Sequence, residues 1–230
     1  MSQIKCPKCH SESFWQTKDG RLKCKNCRYL FKPKENQFNL PNSKLEQIVA
    51  LFLLETPIEA ICQEVQISKY KLLKIIEAIR KAMTNDVPEV FQKNKELVQK
   101  SEKIPYSPFI GLFHQNGSFF VNLLSEITKN EFLNFLKEKE NLNQIEDWQR
   151  NFGLVYKKRL YRIFPSRFKE RKIDEIDQFW AYLKKRVFTK AGIRKNKFYL
   201  HLGEYVWRYN HRNSSLEEMK TALMNLLSKL

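Results

Sequence analysis

The sequence predicts an α+β chain, mainly helical, built from small units in a row. Three observations predict it. Two Cys-x-x-Cys pairs bracket a short strand-like stretch near the N-terminus, apolar runs at helical spacing follow, and Asn116-Gly117 lies between two apolar strands in the middle of the chain. A hydrophobic content of 42% over 230 residues is enough for real cores and excludes a disordered tail.

Charge narrows the partner. The formal net charge is +17, and it is uneven: Arg150 to Arg212 carries 18 basic residues against five acids. Such a field attracts a polyanion, most often nucleic acid. No apolar run reaches the roughly 18 residues that span a bilayer. The start, "MSQIKCPKC", has no apolar signal region. The expectation is a soluble, cytoplasmic protein without a membrane partner. No glycine-rich phosphate loop is present, which argues against nucleotide hydrolysis.

The first unit is residues 1–38. Cys6-x2-Cys9 and Cys24-x2-Cys27 are separated by a spacer that reads as a β-hairpin turning at Asp19-Gly20. Each Cys-x-x-Cys turn aims two thiolates at one point, and two such turns complete a tetrahedron around structural zinc, with no open position for chemistry. This is a zinc ribbon. Lys5, Lys8, Lys18, Arg21, Lys23, Lys25, Arg28 and Lys32 surround it and suit phosphate contact. His10 adjoins a ligand but is not needed as one. Cys62, the fifth cysteine, falls in an apolar helical pattern and reads as a small buried hydrophobe.

The second unit is residues 39–86. Leu45, Ile48, Val49, Phe52 and Leu53 repeat at helical spacing after an N-cap at Asn42 or Ser43. Thr56 and Pro57 read as N-cap and first residue of a second helix ending near Val65. Gln66-Ile67 turns, and Ser68 caps a third helix that buries Leu72, Leu73, Ile76 and Ile79. Short helix, tight turn and longer helix is the helix-turn-helix layout, whose second helix meets the DNA major groove by its N-terminal end. Lys69, Tyr70 and Lys71 stand there. A bundle that serves packing alone has the same periodicity.

Residues 87–107 read as a charged linker, with prolines at 88 and 105. The third unit is residues 108–230. "FIGLFHQNGSFFVNLL" reads as a hairpin, and Thr128 with Glu131 forms a capping box for an amphipathic helix. Hairpin then helix fits the start of an RNase H-like α/β domain, among other α/β folds. At the end, Phe198, Leu202, Tyr205 and Val206 continue an apolar helical stripe. Ser215 with Glu218 caps a last helix, whose Leu and Met stripe can pack on the domain or on a second copy, a homodimer.

Residues 176–212 carry "IDQFW", "LKKR", "GIRK" and "FYLHLGEYVWRYNHR". They resemble the end of insertion-sequence transposases of the IS fifteen-ninety-five (ISXO-two-like) family. "CPKC…CKNC", then "NLP" and a helix-turn-helix, resembles that family's N-terminal plan. The resemblance implies an RNase H-like domain in which three acids hold two Mg²⁺ or Mn²⁺ ions for DNA strand transfer. The third acid corresponds to Asp177, where the family usually has Glu, and the second to Asp147. Lys184 follows Asp177 by seven residues, about two helical turns, which matches a basic residue gripping DNA beside the metals. The first acid is missing. Its place lies near Gln99 and Lys100, no aspartate occurs between Asp86 and Asp147, and Glu96 and Glu102 are the acids nearby. Lys185, Arg186, Arg194, Lys195, Arg208 and Arg212 are the DNA contacts that these basic motifs imply. The resulting expectation is a double-stranded-DNA-binding protein of transposase type with a reduced catalytic domain and impaired chemistry. An active transposase and a repurposed transcriptional regulator are the alternatives.

Overall fold

A computed structural model describes residues 5–31, 36–87, 109–123, 150–162, 173–188 and 197–229. The chain divides into two compact units, residues 1–67 and 68–230. It is α+β as expected: six α-helices and two small antiparallel sheets among the described residues. No helix among them is long and apolar enough to cross a membrane.

The first unit opens on three short strands, β1 (Phe14–Gln16), β2 (Leu22–Cys24) and β3 (Leu30–Phe31), in the order β1-β2-β3. Phe14 lies opposite Cys24. The turn falls where Asp19-Gly20 predicts it. Gly20 takes φ +77°, a conformation that glycine adopts without steric cost. The Arg21 guanidinium and the Thr17 hydroxyl hydrogen-bond Asp19 and hold its carboxyl well below the usual range. β3 was not expected.

Helices α1 (Asn42–Leu53) and α2 (Ile58–Val65) complete this unit. α1 buries Leu45, Ile48, Val49, Phe52 and Leu53, the expected stripe. Both caps differ from expectation by one position or more. Pro41 and Pro57, at ψ 139° and 143°, are the flanking residues, and their carbonyls accept from Leu45 and Ile61. Proline fixes φ near the helical value, but with an extended ψ it stays outside the helix and supplies the first acceptor. Neither Asn42 nor Ser43 nor Thr56 is the cap. Lys44 Nζ donates to the Val65 carbonyl at 3.2 Å, and Gln47 donates to Glu64 at 3.1 Å, tying α1 to α2.

The second unit begins with α3 (Lys69–Asp86). Leu72, Ile76 and Ile79 are buried as expected. Leu73 is not: it is 46% exposed, and Ile75 is buried in its stead. A step of one residue turns a helix by about 100°, which takes Leu73 off the stripe that Leu72, Ile75, Ile76 and Ile79 form.

A four-stranded sheet follows, with the order β5-β4-β6-β7 and every neighbouring pair antiparallel. β4 is Phe109–Gln115, β5 Ser118–Leu123, β6 Phe152–Tyr156 and β7 Arg159–Tyr161. Asn116-Gly117 joins β4 to β5 with φ +51° and +76°, the turn its sequence predicts. Lys157-Lys158 joins β6 to β7 with φ +46° and +61°, the same kind of turn made without glycine or asparagine. An α/β domain pairs parallel strands across helical crossovers, and none of the described pairs is parallel.

Helix α4 (Glu175–Leu183) lies on the sheet face that carries Leu112 and Phe119. It is followed by a π-helical turn, Lys184–Phe188. Gly153 makes room there: a Cβ would meet Ile176 Cγ2 at 2.9 Å and Leu160 Cδ1 at 2.8 Å. Helix α5 (Phe198–Asn210) joins the same face, with Phe119, Phe179 and Tyr209 within 5 Å of one another by ring centroid. The Asn210 amide donates to the Phe119 carbonyl and accepts from the Phe119 N–H, both at 2.8 Å, so it pairs β5, as a neighbouring strand would, on the edge that no strand among the described residues covers. Helix α6 (Leu216–Leu227) starts at the expected capping box of Ser215 and Glu218, and buries Leu223 and Leu227.

α3 packs against α5 and α6. At the closest approach of α3 and α5, a Cβ on Gly203 would fall 2.8 Å from both Thr84 Cβ and Thr84 Cγ2, and nearer still to its hydroxyl. Gly203→Ala is therefore expected to destabilise the second unit by about 2–3 kcal/mol, since overpacking outweighs the roughly 1 kcal/mol of helix propensity gained. Denaturant titration checks it. Thr84→Ala in the same chain should return part of the loss, and a neutral Gly203→Ala would refute the close approach.

The linker beyond Val87, the helix of Thr128 and Glu131, and Lys32, Glu96, Glu102, Asp147, Arg194 and Lys195 lie outside the described residues.

Candidate metal centre and nucleic-acid interface

Four cysteine sulfurs meet at the end of the first hairpin. Those of Cys6, Cys9, Cys24 and Cys27 lie within 4.8 Å of one another, with Cys6–Cys27 and Cys9–Cys24 each at 3.5 Å. Metal–sulfur bonds of about 2.3 Å in a tetrahedron separate the sulfurs by about 3.8 Å, so the cluster fits one metal ion with four ligands.

The two Cys-x-x-Cys segments repeat one backbone design. The His10 N–H donates to the Cys6 carbonyl, and the Arg28 N–H to the Cys24 carbonyl. The Cys6 N–H donates to Ser11, and the Cys24 N–H to Tyr29. His10 and Arg28 both take φ 58°. Each turn thereby curls its two sulfurs inward. N–H groups of Cys27 and Asn26 lower the Cys24 thiol to about 6, against desolvation. The Tyr29 N–H draws Cys27 down too, but desolvation and the three neighbouring thiols win and push it up to about 12. Four sulfurs this close oppose one another's ionisation, and a bound cation relieves that by favouring every thiolate. Lys8, Lys18, Lys23, Lys25 and Arg28 are exposed around the hairpin, while Lys5 pairs with Glu12 and Arg21 with Asp19. Cys62 is partly exposed rather than buried.

Lys69, Tyr70 and Lys71 open α3. α2 ends at Val65, Gln66 takes the left-handed conformation at φ 53°, and the Ser68 side chain accepts from the Lys71 N–H to cap α3. Lys69 and Tyr70 are exposed on the first turn of α3, and Lys71 is half-buried. Tyr70 is 71% exposed, with the Lys74 ammonium 4.4 Å from its ring centre.

Asp177 has a local partner. Its Oδ2 accepts from the Asp174 N–H at 3.2 Å, and its own N–H donates to Asp174 Oδ1 at 3.1 Å. This is a reciprocal capping box at the start of α4. The Arg162 guanidinium, with its side chain fully buried, donates to Asp174 at 2.7 Å and to the Arg150 carbonyl. Desolvation raises the Asp174 carboxyl, but Arg162 and the Asp177 N–H overcome it and hold the group below its ordinary value. Sequence reasoning missed Asp174, because a capping box of two aspartates departs from the Ser/Thr…Glu pattern. It also missed His114, whose Nδ1 lies 2.9 Å from Glu175 Oε2 and whose ring stacks on Phe119.

The basic residues divide into two kinds. Lys184 and Lys185 are exposed on the π turn, and Arg186 lies over the Tyr182 ring. Arg212 is exposed, stacked over Tyr209 at 4.5 Å. Arg208 is held inside instead: its side chain is 9% exposed and pairs at 3.0 Å with Glu204, a buried carboxylate that also takes Arg80 at 2.7 Å. The chain matches no protein-family model, no curated protein and no solved structure.

Proposed function

We propose that this chain binds double-stranded DNA as a protein of the insertion-sequence transposase type, with a structural zinc ion in its cysteine cluster and impaired strand-transfer chemistry. The observation that carries the reading is the start of α3. A three-residue turn leads into a Ser68-capped helix that offers Lys69, Tyr70 and Lys74 to solvent, the end that a helix-turn-helix presents to the major groove. The basic hairpin and the net charge of +17 support phosphate contact as well.

Two features support impairment. Strands β4 to β7 carry no aspartate or glutamate, and the Asp177 carboxylate serves the α4 capping box. A two-metal site needs its anionic ligands at fixed places. The RNase H-like assignment of residues 108–230 remains part of this proposal and rests on the resemblance of residues 176–212.

Fluorescence anisotropy with a labelled duplex tests the reading. Binding is expected to weaken by orders of magnitude between 50 and 200 mM salt, as it does when several phosphates are neutralised. Lys69→Gln with Lys71→Gln should lower the salt slope by about two. Lack of duplex binding at 50 mM salt would overturn the proposal. Mg²⁺- or Mn²⁺-dependent products that vanish in Asp177→Ala would overturn the impairment alone.

A further inference from the structure

The register of the first sheet sorts its side chains onto two sides. Residues directly opposite on paired antiparallel strands share a side. Phe14 lies opposite Cys24, and Leu22 opposite Phe31. Cys24 is buried and the other three are half-buried, so this is the inner side. Trp15, Lys23 and Leu30 also lie opposite one another, in a row across all three strands. They occupy the outer side, and all three are exposed, Trp15 by 49% and Leu30 by 37%. Single apolar side chains in water are ordinary. An indole and a leucine set on either side of a lysine on one flat face form a patch that asks for a partner.

Charge says which partner. The two acids between residues 5 and 31, Glu12 and Asp19, are taken by Lys5 and Arg21. Among the described residues, no carboxylate pairs with Lys8, Lys18, Lys23, Lys25 or Arg28. The face therefore suits a ligand that is anionic and also offers flat apolar surfaces. A nucleic-acid strand has both. A duplex hides the faces of its bases in its own stack, whereas an unpaired strand leaves them open to an aromatic side chain.

We infer that the outer side of this sheet binds single-stranded nucleic acid: the Trp15 indole stacks on an unpaired base, Leu30 covers a neighbouring base, and Lys23 between them takes a backbone phosphate. Every base has a ring face, so the contact accepts any sequence. No residue of α3 takes part. The inference goes beyond the duplex reading and stands without it.

The test uses the full chain and measures anisotropy with three labelled probes: oligothymidine, an abasic strand of the same length and charge, and a duplex. Wild type should bind oligothymidine more tightly than the abasic strand. Trp15→Ala should weaken oligothymidine binding roughly 5- to 150-fold, the span of one base stack, and leave the abasic strand and the duplex unaffected. Trp15→Phe keeps a ring and should restore most of the loss. Lys23→Gln should lower the single-strand salt slope by about 0.7 and keep the dependence on bases. The abasic comparison is made on the wild type and depends on no variant. Wild-type binding that ignores the bases overturns the inference, as does a Trp15→Ala chain that holds oligothymidine like the wild type. Competition by polyglutamate as strong as that by unlabelled oligothymidine also overturns it, and makes the face a site for an acidic peptide. Each of these results leaves duplex binding through α3 standing. Trp15-dependent binding of oligothymidine by a chain that binds no duplex bears out the inference and overturns the duplex reading alone.

Discussion

Cys24→Ser is expected to strip the metal from the first unit and unfold residues 5–31. Among the described residues, little else holds the hairpin. Its strands are two and three residues long, Trp15 is 49% and Tyr29 45% exposed, and the fully buried side chains among residues 5–31 are Cys6 and Cys24. The Phe14–Phe31 edge contact, with centroids 5.5 Å apart, adds about 1 kcal/mol. A unit this small needs a staple. Four thiolates on zinc contribute roughly 10–16 kcal/mol, folding free energy that the unfolded chain lacks. Elemental analysis of the native protein should find one zinc per chain, and Cys24→Ser should fall well below that. Amide exchange over β1 to β3 should become unprotected in the variant, while α3, α5 and α6 in the other unit keep their protection. A native protein without metal, or a Cys24→Ser variant with a protected hairpin, would sink the zinc assignment.

What could be read in advance follows the range of the interaction. Cysteine spacing, Asp19-Gly20, Asn116-Gly117 and the Ser215–Glu218 box act within a few residues, and the structure has all of them in place. The Lys157-Lys158 turn carries no such mark, because two lysines take positive φ only when the flanking strands β6 and β7 impose it. Asp177 shows how one residue supports two readings. Its motif implies a metal ligand, while Asp174 three residues before it makes it a cap, and only coordinates display the reciprocal hydrogen bonds. Leu73 follows the same logic. Its hydrophobicity predicts burial, but the helix phase is set by Leu72, Ile75, Ile76 and Ile79 together. The hardest feature to foresee is Glu204, a buried acid whose partner Arg80 is distant in sequence.

Glu204→Ala is expected to cost the second unit about 3–5 kcal/mol. Glu204 is 2% exposed and takes Arg80 at 2.7 Å and Arg208 at 3.0 Å. Arg208, with 9% of its side chain exposed, has little water to turn to once the carboxylate is gone. The penalty is mainly this stranded charge, with the lost packing of the side chain as the smaller part. Glu204→Gln separates the two: it keeps the shape and a hydrogen-bonding oxygen, so it should cost less, about 1–3 kcal/mol. Urea unfolding of both variants, followed by amide exchange in α3 and α5, measures the difference. Equal losses for Ala and Gln would make charge the whole effect, and no loss in either would mean that Arg80 and Arg208 do not depend on Glu204. The same triad bears on DNA contact. Arg208 is committed to Glu204, whereas Arg212 is exposed over Tyr209. Arg212→Ala should therefore weaken duplex binding and lower the salt slope by about one, while Arg208→Ala should act on stability. The reverse result would move Arg208 from the core of the fold to the DNA.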